Sequence, residues 1–166
     1  MIYDWGSRCT LHSVLFTLYS SLCTNIMPKY VAGLVKDIPS GTRKIVELAE
    51  RSIGIFNVDG VFYALRNLCP HQGGPLCQGR QTGFLEAETP GDFVYTRHGE
   101  MLRCPWHGWQ FDITTGRAWI DPERIRTRKY SVSVESGEGL AAEDIPSAAE
   151  TYDVSIDQQY VVIDIP

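Results

Sequence analysis

The 166-residue sequence lacks the features that mark membrane, nucleic-acid-binding and nucleotide-binding proteins. Its most apolar stretch, residues 11–27, is interrupted by His12 and by several serines and threonines, so it is too short and too polar for a membrane span. No stripe dense in lysine and arginine is present, so we expect no nucleic-acid partner. No G-x-G-x-x-G motif follows a strand pattern, so nothing predicts a site for NAD(P)H or flavin.

The sequence also lacks the cysteine pattern of a disulfide framework, and the arrangement of its cysteines is informative. Five cysteines are an odd number for a disulfide framework, and a chain of this length can build a core without one. Cys69 and Cys104 each stand close to a histidine, a pattern typical of a reducing compartment in which thiolates bind metal. We therefore expect a cytoplasmic protein. Cys9, Cys23 and Cys77 have no such neighbour and are interpreted as free thiols.

The N-terminal segment differs from the rest of the chain. Met27 is followed by Pro28, Lys29 and a regular strand pattern, whereas the residues before it show none. We expect residues 1–28 to be an extension that is disordered or not native, with Met27 as the natural start. A weak membrane anchor is the alternative that this segment leaves open. Residues 29–166 are expected to form one domain.

From Tyr30 onward, short stretches of alternating or β-branched residues predict strands, and no helical period appears. The predicted strands are residues 30–35, 42–49, 52–58, 61–66, 93–96, 101–103, 110–113, 117–120, 126–134, 152–156 and 160–165. Asp59-Gly60 predicts a two-residue hairpin turn, His98-Gly99 is interpreted as a second turn, and the last two strands as a terminal hairpin. Residues 81–103 form a long connection and are interpreted as an excursion. The pattern predicts an antiparallel all-β domain, sandwich- or barrel-like.

Two compact motifs each combine a thiolate with an imidazole. Cys69-Pro70-His71 and Cys104-Pro105-Trp106-His107 are separated by residues 72–103, which are enough to bring the two loops back together. Two thiolates and two imidazoles satisfy one tetrahedral zinc ion. They equally satisfy two sulfide-bridged irons, with the cysteines on one iron and the histidines on the other. Spacing alone does not choose between the two sites.

The residues around the motifs favour iron. Glycines and prolines crowd both loops, at Gly73, Gly74, Pro75, Gly79, Pro105 and Gly108. Bridging sulfides accept hydrogen bonds from backbone N–H groups, and glycine permits the close approach that these bonds need. Zinc ribbons commonly place two cysteines in each knuckle, whereas each motif here mixes cysteine with histidine.

The strings C-P-H-Q-G-G-P-L at 69–76 and C-P-W-H-G-W-Q-F-D at 104–112 strongly resemble the two cluster-binding loops of Rieske proteins. The resemblance covers residues 30–165. It implies a Rieske-type antiparallel β-sandwich or barrel, with a cluster-binding subdomain made of two loops within about residues 66–120. It also implies one [2Fe-2S] cluster per chain. By this resemblance Cys69 and Cys104 bind the buried iron, and His71 and His107 bind the outer iron near the surface.

The resemblance also separates branches of the family. Rieske subunits of respiratory cytochrome bc complexes carry an additional cysteine in each loop, joined by a disulfide, and a serine whose hydroxyl binds a sulfide. The matching positions here are Gly74, Trp106 and Trp109. Fewer hydrogen bonds to sulfur predict a midpoint potential near the low end of the Rieske range, about −150 mV rather than about +300 mV. Such a potential is typical of the ferredoxin branch, which supplies electrons to oxygenases.

We therefore expect a single-electron carrier that passes electrons from a ferredoxin reductase to a terminal oxygenase. Transient contacts are expected near His71 and His107, and no substrate chemistry is expected from this chain alone. Only His12 and His98 remain for a second metal site. Two alternatives stay open: a Rieske-like small subunit of an assimilatory nitrite reductase or another multicomponent oxidoreductase, and a zinc-stabilised interaction module.

Overall fold

The structure is a computed structural model that describes residues 28–139 and 158–166, so the predicted extension lies almost wholly outside the described residues. Every strand pair within these ranges is antiparallel, which confirms the predicted all-β class. The strands are β1 (Lys29–Leu34), β2 (Arg43–Leu48), β3 (Arg51–Val58), β4 (Val61–Arg66), β5 (Arg80–Thr89), β6 (Asp92–Arg103), β7 (Gln110–Asp112), β8 (Lys129–Ser136) and β9 (Gln159–Asp164). Short 3₁₀ helices lie at Val35–Asp37, Leu76–Gln78 and Gly137–Gly139. No helix in the described ranges is long and apolar enough to cross a membrane.

Six strands form the larger sheet, in the order β1-β9-β8-β4-β3-β2. Alternating apolar residues of these strands fill one core, which includes Ile53, Ile55 and Ile163. The turn between β3 and β4 is the predicted two-residue hairpin, since Val58 pairs with Val61. Both turn residues have positive φ, 50° at Asp59 and 87° at Gly60, as a type I′ turn requires.

The C-terminal strand has different neighbours from those predicted. β9 lies between β1 and β8 and pairs with both along residues 160–164. Because both edges of β9 are occupied, the predicted terminal hairpin with residues 152–156 is wrong. Those residues lie outside the described part of the chain. Closing the sheet with β9 ties the end of the domain to its first strand.

The smaller sheet has the order β5-β6-β7 and contains the region interpreted as an excursion. Residues 80–103 form one long hairpin that turns at Pro90-Gly91, so the predicted turn at His98-Gly99 is wrong. The register jumps from Thr82↔Met101 to Phe84↔Thr96, which places residues 97–100 of β6 opposite Gly83 alone. This bulge contains positive φ angles at Arg97 and Gly99, which explains why the segment resembles a turn in sequence.

A second core lies between the two sheets, beneath the loops that carry the cysteines. Its buried members are Phe56, Val58, Leu65, Cys69, Leu76, Cys77, Leu102, Cys104, Phe111, Ile113 and Ala118. Both Cys69 and Cys104 thus lie in apolar surroundings at the end of the domain. The predicted subdomain at about residues 66–120 includes the smaller sheet and both cysteine loops, whereas Phe56, Val58 and Leu65 of this core precede it. The boundaries of the subdomain stay a prediction.

Candidate metal centre

The first loop closes on itself immediately after Cys69. The backbone N–H of Cys69 donates to the carbonyl of Gly74 at 2.8 Å, and the N–H of Gly73 donates to the carbonyl of Cys69 at 2.8 Å. Gly73 has φ +77°, a conformation that L side chains rarely adopt. The closed turn leaves Cys69 only 2% exposed and puts His71 at its exposed tip.

The second loop repeats this construction. The N–H of Cys104 donates to the carbonyl of Trp109 at 2.8 Å, and the N–H of Gly108 donates to the carbonyl of Cys104 at 3.0 Å. Gly108 has φ +72° and fills the position that Gly73 fills in the first loop. Cys104 is 3% exposed, whereas His107 is exposed. Each loop therefore directs a thiol inward and an imidazole outward.

The two loops bring the four predicted residues together as two pairs. The pKa of the Cys69 thiol is raised, first by burial and then by the neighbouring Cys104 thiol, while backbone hydrogen bonds at His71 and Gln72 oppose the rise. The rings of His71 and His107 meet edge to face with centroids 4.9 Å apart. The thiols are thus neighbours in the interior, and the imidazoles are neighbours at the surface.

This pairing differs from a site for a single ion. A structural zinc site needs four ligands converging on one point. Two thiols on one side and two imidazoles on the other offer two separate half-sites, as a binuclear centre requires.

Tryptophans hold the loops against each other. A Cβ added to Gly74 would lie 2.9 Å from Cδ2 of Trp106, so the two loops touch at these positions. The ring of Trp109 stacks on His71 with centroids 4.5 Å apart and an interplanar angle of 11°. This half-buried ring packs against the core and also orients an imidazole of the site. Leu68, an apolar residue just before the first loop, is 41% exposed.

Residues distant in sequence also support the first loop, and no local sequence pattern predicts these contacts. Arg43 donates through Nη1 to the carbonyl of Gly79 at 2.5 Å, across 36 positions of sequence. Asn67 accepts the N–H of Cys77 at 2.7 Å and donates to Ser52 at 3.1 Å. Cys77 is fully buried, and burial raises the pKa of its thiol to about 12, which keeps it protonated.

Comparison with known proteins identifies the family. Residues 28–131, more than half of the chain, match the Rieske [2Fe-2S] domain. The chain belongs to the Rieske [2Fe-2S] family. Its residues fit the cluster that this family binds, because two buried thiols and two paired imidazoles are the donor set of a Rieske centre. One [2Fe-2S] cluster is therefore the cofactor of this Rieske chain.

Its relatives include both small carriers and parts of larger proteins. The ferredoxin component of the naphthalene 1,2-dioxygenase/salicylate 5-hydroxylase systems of Ralstonia sp is 30% identical over 105 residues, which cover 63% of this chain and 86% of that protein. Mouse apoptosis-inducing factor 3 is 34% identical over 101 residues. That match covers 61% of this chain but only 14% of the mouse protein. The solved structure of the Sphingomonas yanoikuyae B1 ferredoxin has a TM-score of 0.51 at 25% identity, covering 83% of this chain and 99% of that one.

Proposed function

We propose that this Rieske chain is a single-electron carrier that accepts electrons from a ferredoxin reductase and delivers them to a terminal oxygenase. In this proposal Cys69 and Cys104 ligate the buried iron, and His71 and His107 ligate the outer iron. The observation that carries it is the two-by-two arrangement, with both thiols in the core and both imidazoles at one exposed end of the domain. Two curated ferredoxin components of dioxygenase systems, of which this chain covers 80% or more, support the choice of partner.

The cluster, when bound, takes up and releases one electron, and the chain supplies its environment. The apolar core around Cys69 and Cys104 keeps water from the inner half of the site. His71 and His107 are exposed, so a partner protein can approach the imidazoles closely. Stacking of Trp109 on His71 limits rotation of that ring. The side chains around the site therefore need to reorganise little when an electron enters or leaves.

The proposed contact face surrounds the two imidazoles. Gln72, Pro105 and Trp106 are exposed beside them, and Trp106 is 58% exposed although it is a large apolar side chain. Exposed aromatic side chains of this kind are enriched where proteins bind one another. Transient electron-transfer contacts need only a small interface. A cytoplasmic location, where thiolates persist, is part of the same proposal.

Two aspartates, Asp112 and Asp121, make hydrogen bonds within turns. Asp112 accepts hydrogen bonds from the N–H groups of Thr114 and Thr115 and pairs with Arg97 at 2.6 Å, so it stabilises a turn and the β6 bulge. Asp121 likewise accepts the N–H of Arg124 at 3.3 Å. We therefore propose that this chain carries electrons and leaves substrate chemistry to its partner.

Reconstitution tests the proposal. A reductase and a terminal oxygenase of a naphthalene dioxygenase system, supplied without their own ferredoxin, are mixed with this protein, NADH and naphthalene, and the hydroxylated product is measured. Product is expected only when the chain is present with its cluster. The variant Cys69→Ser should abolish product, and Cys77→Ser, which removes a buried thiol outside the proposed ligand set, should not. Product that forms equally without the chain would contradict the proposal.

A further inference from the structure

A cleft opens beside His107, next to the proposed contact face. One wall is the second cluster loop, Cys104–Gly108, and the other is the junction where β5 begins and β6 ends. Arg80 and Arg103 project from that junction and line the cleft together with His107. The cleft therefore joins two guanidinium groups to a proposed ligand of the outer iron.

These two arginines form a pair of like charges. Arg80 and Arg103 are directly opposite in the register of β5 and β6, so their side chains lie on the same face of the sheet. Like charges directly opposite across antiparallel strands repel each other and destabilise the pair. A protein retains such an arrangement at little cost when an anion from outside lies between the two groups.

Counter-ions from the described chain do not relieve this repulsion. Neither Arg80 nor Arg103 has a hydrogen-bond or ion-pair partner for its guanidinium within residues 28–139 and 158–166. Two other arginines do have acidic partners. Arg97 pairs with Glu100 and Asp112, and Arg117 pairs with Glu123.

We propose that Arg80 and Arg103 form a docking site for a carboxylate side chain on an acidic surface of the redox partner. This inference rests on the proposed function and names the charge of the partner at that site. Guanidinium groups bind carboxylates through paired hydrogen bonds, which fix orientation as well as position. A carboxylate held in the cleft would bring the partner against His107.

Local charge matters here because the chain as a whole is acidic. Its formal net charge is −5, so an acidic partner is repelled at long range. At physiological salt, charges are screened beyond about 8 Å, so the residues nearest the contact decide whether an acidic group is attracted. Arg80 and Arg103 line the same cleft as His107, so they place positive charge beside a proposed ligand of the outer iron.

Oxidation of the reduced protein by ferricyanide measures that local charge. Each reduced cluster gives one electron to one ferricyanide ion, which becomes ferrocyanide, and stopped-flow absorbance records the rate at increasing ionic strength. If the cleft attracts anions, the rate falls as salt increases. The variant Arg80→Gln/Arg103→Gln should then react about threefold more slowly at low salt, with the salt dependence reduced or reversed.

A matched variant separates the cleft from net charge. Lys36→Gln/Arg124→Gln removes the same number of positive charges from exposed side chains that do not line the cleft. It should react like the unchanged protein. A hexaglutamate peptide should slow ferricyanide oxidation of the unchanged protein more than that of the cleft variant, whereas hexalysine should slow neither.

Failure of the docking proposal can be distinguished from failure of the proposed carrier function. Visible and EPR spectra of each variant are recorded first, and absence of a Rieske cluster from the unchanged protein would refute the carrier function itself. With the cluster present, a ferricyanide rate that rises with salt in the unchanged protein would overturn the docking proposal alone. Equal rates and equal hexaglutamate inhibition in the two double variants would also overturn it.

Discussion

Gly79→Ala is expected to disrupt the cluster loops although it adds a single methyl group. Gly79 ends the first loop with φ −70°, which any residue adopts, so backbone strain is not the reason. A Cβ at this position would lie 2.0 Å from the carbonyl oxygen of Arg103 and 3.0 Å from that of Leu76. Because both neighbours are backbone atoms, the segment that contains Gly79 must move away from the segment that contains Arg103 by about 1 Å or more. Such overpacking costs about 1–3 kcal/mol or more.

The displacement matters because Arg103 immediately precedes Cys104. Moving Gly79 away from Arg103 moves the first loop relative to the second, and with it the separation of the Cys69 and Cys104 sulfurs. We expect Gly79→Ala to lower the urea midpoint and to lose most of the visible absorbance of the cluster. Iron and sulfide per chain, measured after anaerobic purification, should fall in parallel.

Gly91→Ala is the matched control for this prediction. Gly91 lies in the β5–β6 turn with φ +93° and no atom within 4 Å of an added Cβ. The substitution costs about 1–2 kcal/mol through backbone strain alone and should leave cluster content unchanged. A Gly79→Ala protein with full cluster content and a urea midpoint no lower than that of Gly91→Ala would refute the steric argument.

Three further predictions concern the thiols, acid stability and the potential. Cys77→Ser should retain full iron content by elemental analysis, because this protonated, buried thiol lies outside the ligand set, and loss of iron would contradict that assignment. Burial raises the pKa of Asp112, but hydrogen bonds from Thr114 and Arg97 outweigh this effect and leave it below its usual value. A carboxyl whose pKa is lower folded than unfolded stabilises the protein above its unfolded pKa, and this contribution is lost as pH falls through the folded pKa. Asp112→Asn should therefore lower the urea midpoint of unfolding at pH 7. The difference in midpoint between this variant and the unchanged protein should shrink below about pH 3.9. A difference that does not depend on pH would refute this linkage. Protein-film voltammetry should give a midpoint near −150 mV, and a value well above 0 mV would contradict the assignment to the low-potential branch.

Local sequence patterns predicted most strands of the larger sheet but not the long β5–β6 hairpin. Strands β3 and β4 alternate or are continuously apolar because they line a core, and their turn carries Asp59-Gly60. In the hairpin, Leu85, Phe93 and Tyr95 are exposed, so apolar residues there do not report a buried face. The bulge at residues 97–100 then supplies a false turn signal.

The metal centre was predictable because each half of it is contained in a few consecutive residues. Cys69 and His71 share one closed turn, and the proline and glycine residues that shape it are adjacent in sequence. The supporting contacts join distant positions instead. The bond from Arg43 to Gly79 and the opposition of Arg80 and Arg103 depend on how strands pair, and no local pattern reports that pairing.

Two histidines and two cysteines of this chain are proposed to hold the [2Fe-2S] cluster. Electron–nuclear double resonance on the dithionite-reduced protein, prepared with ¹⁵N-labelled histidine, tests it most directly. We expect the low-average-g EPR signal of a Rieske centre with couplings to two histidine nitrogens, and loss of that signature in His71→Ala and His107→Ala. A colourless protein with stoichiometric zinc, or a cluster without histidine coupling, would contradict it.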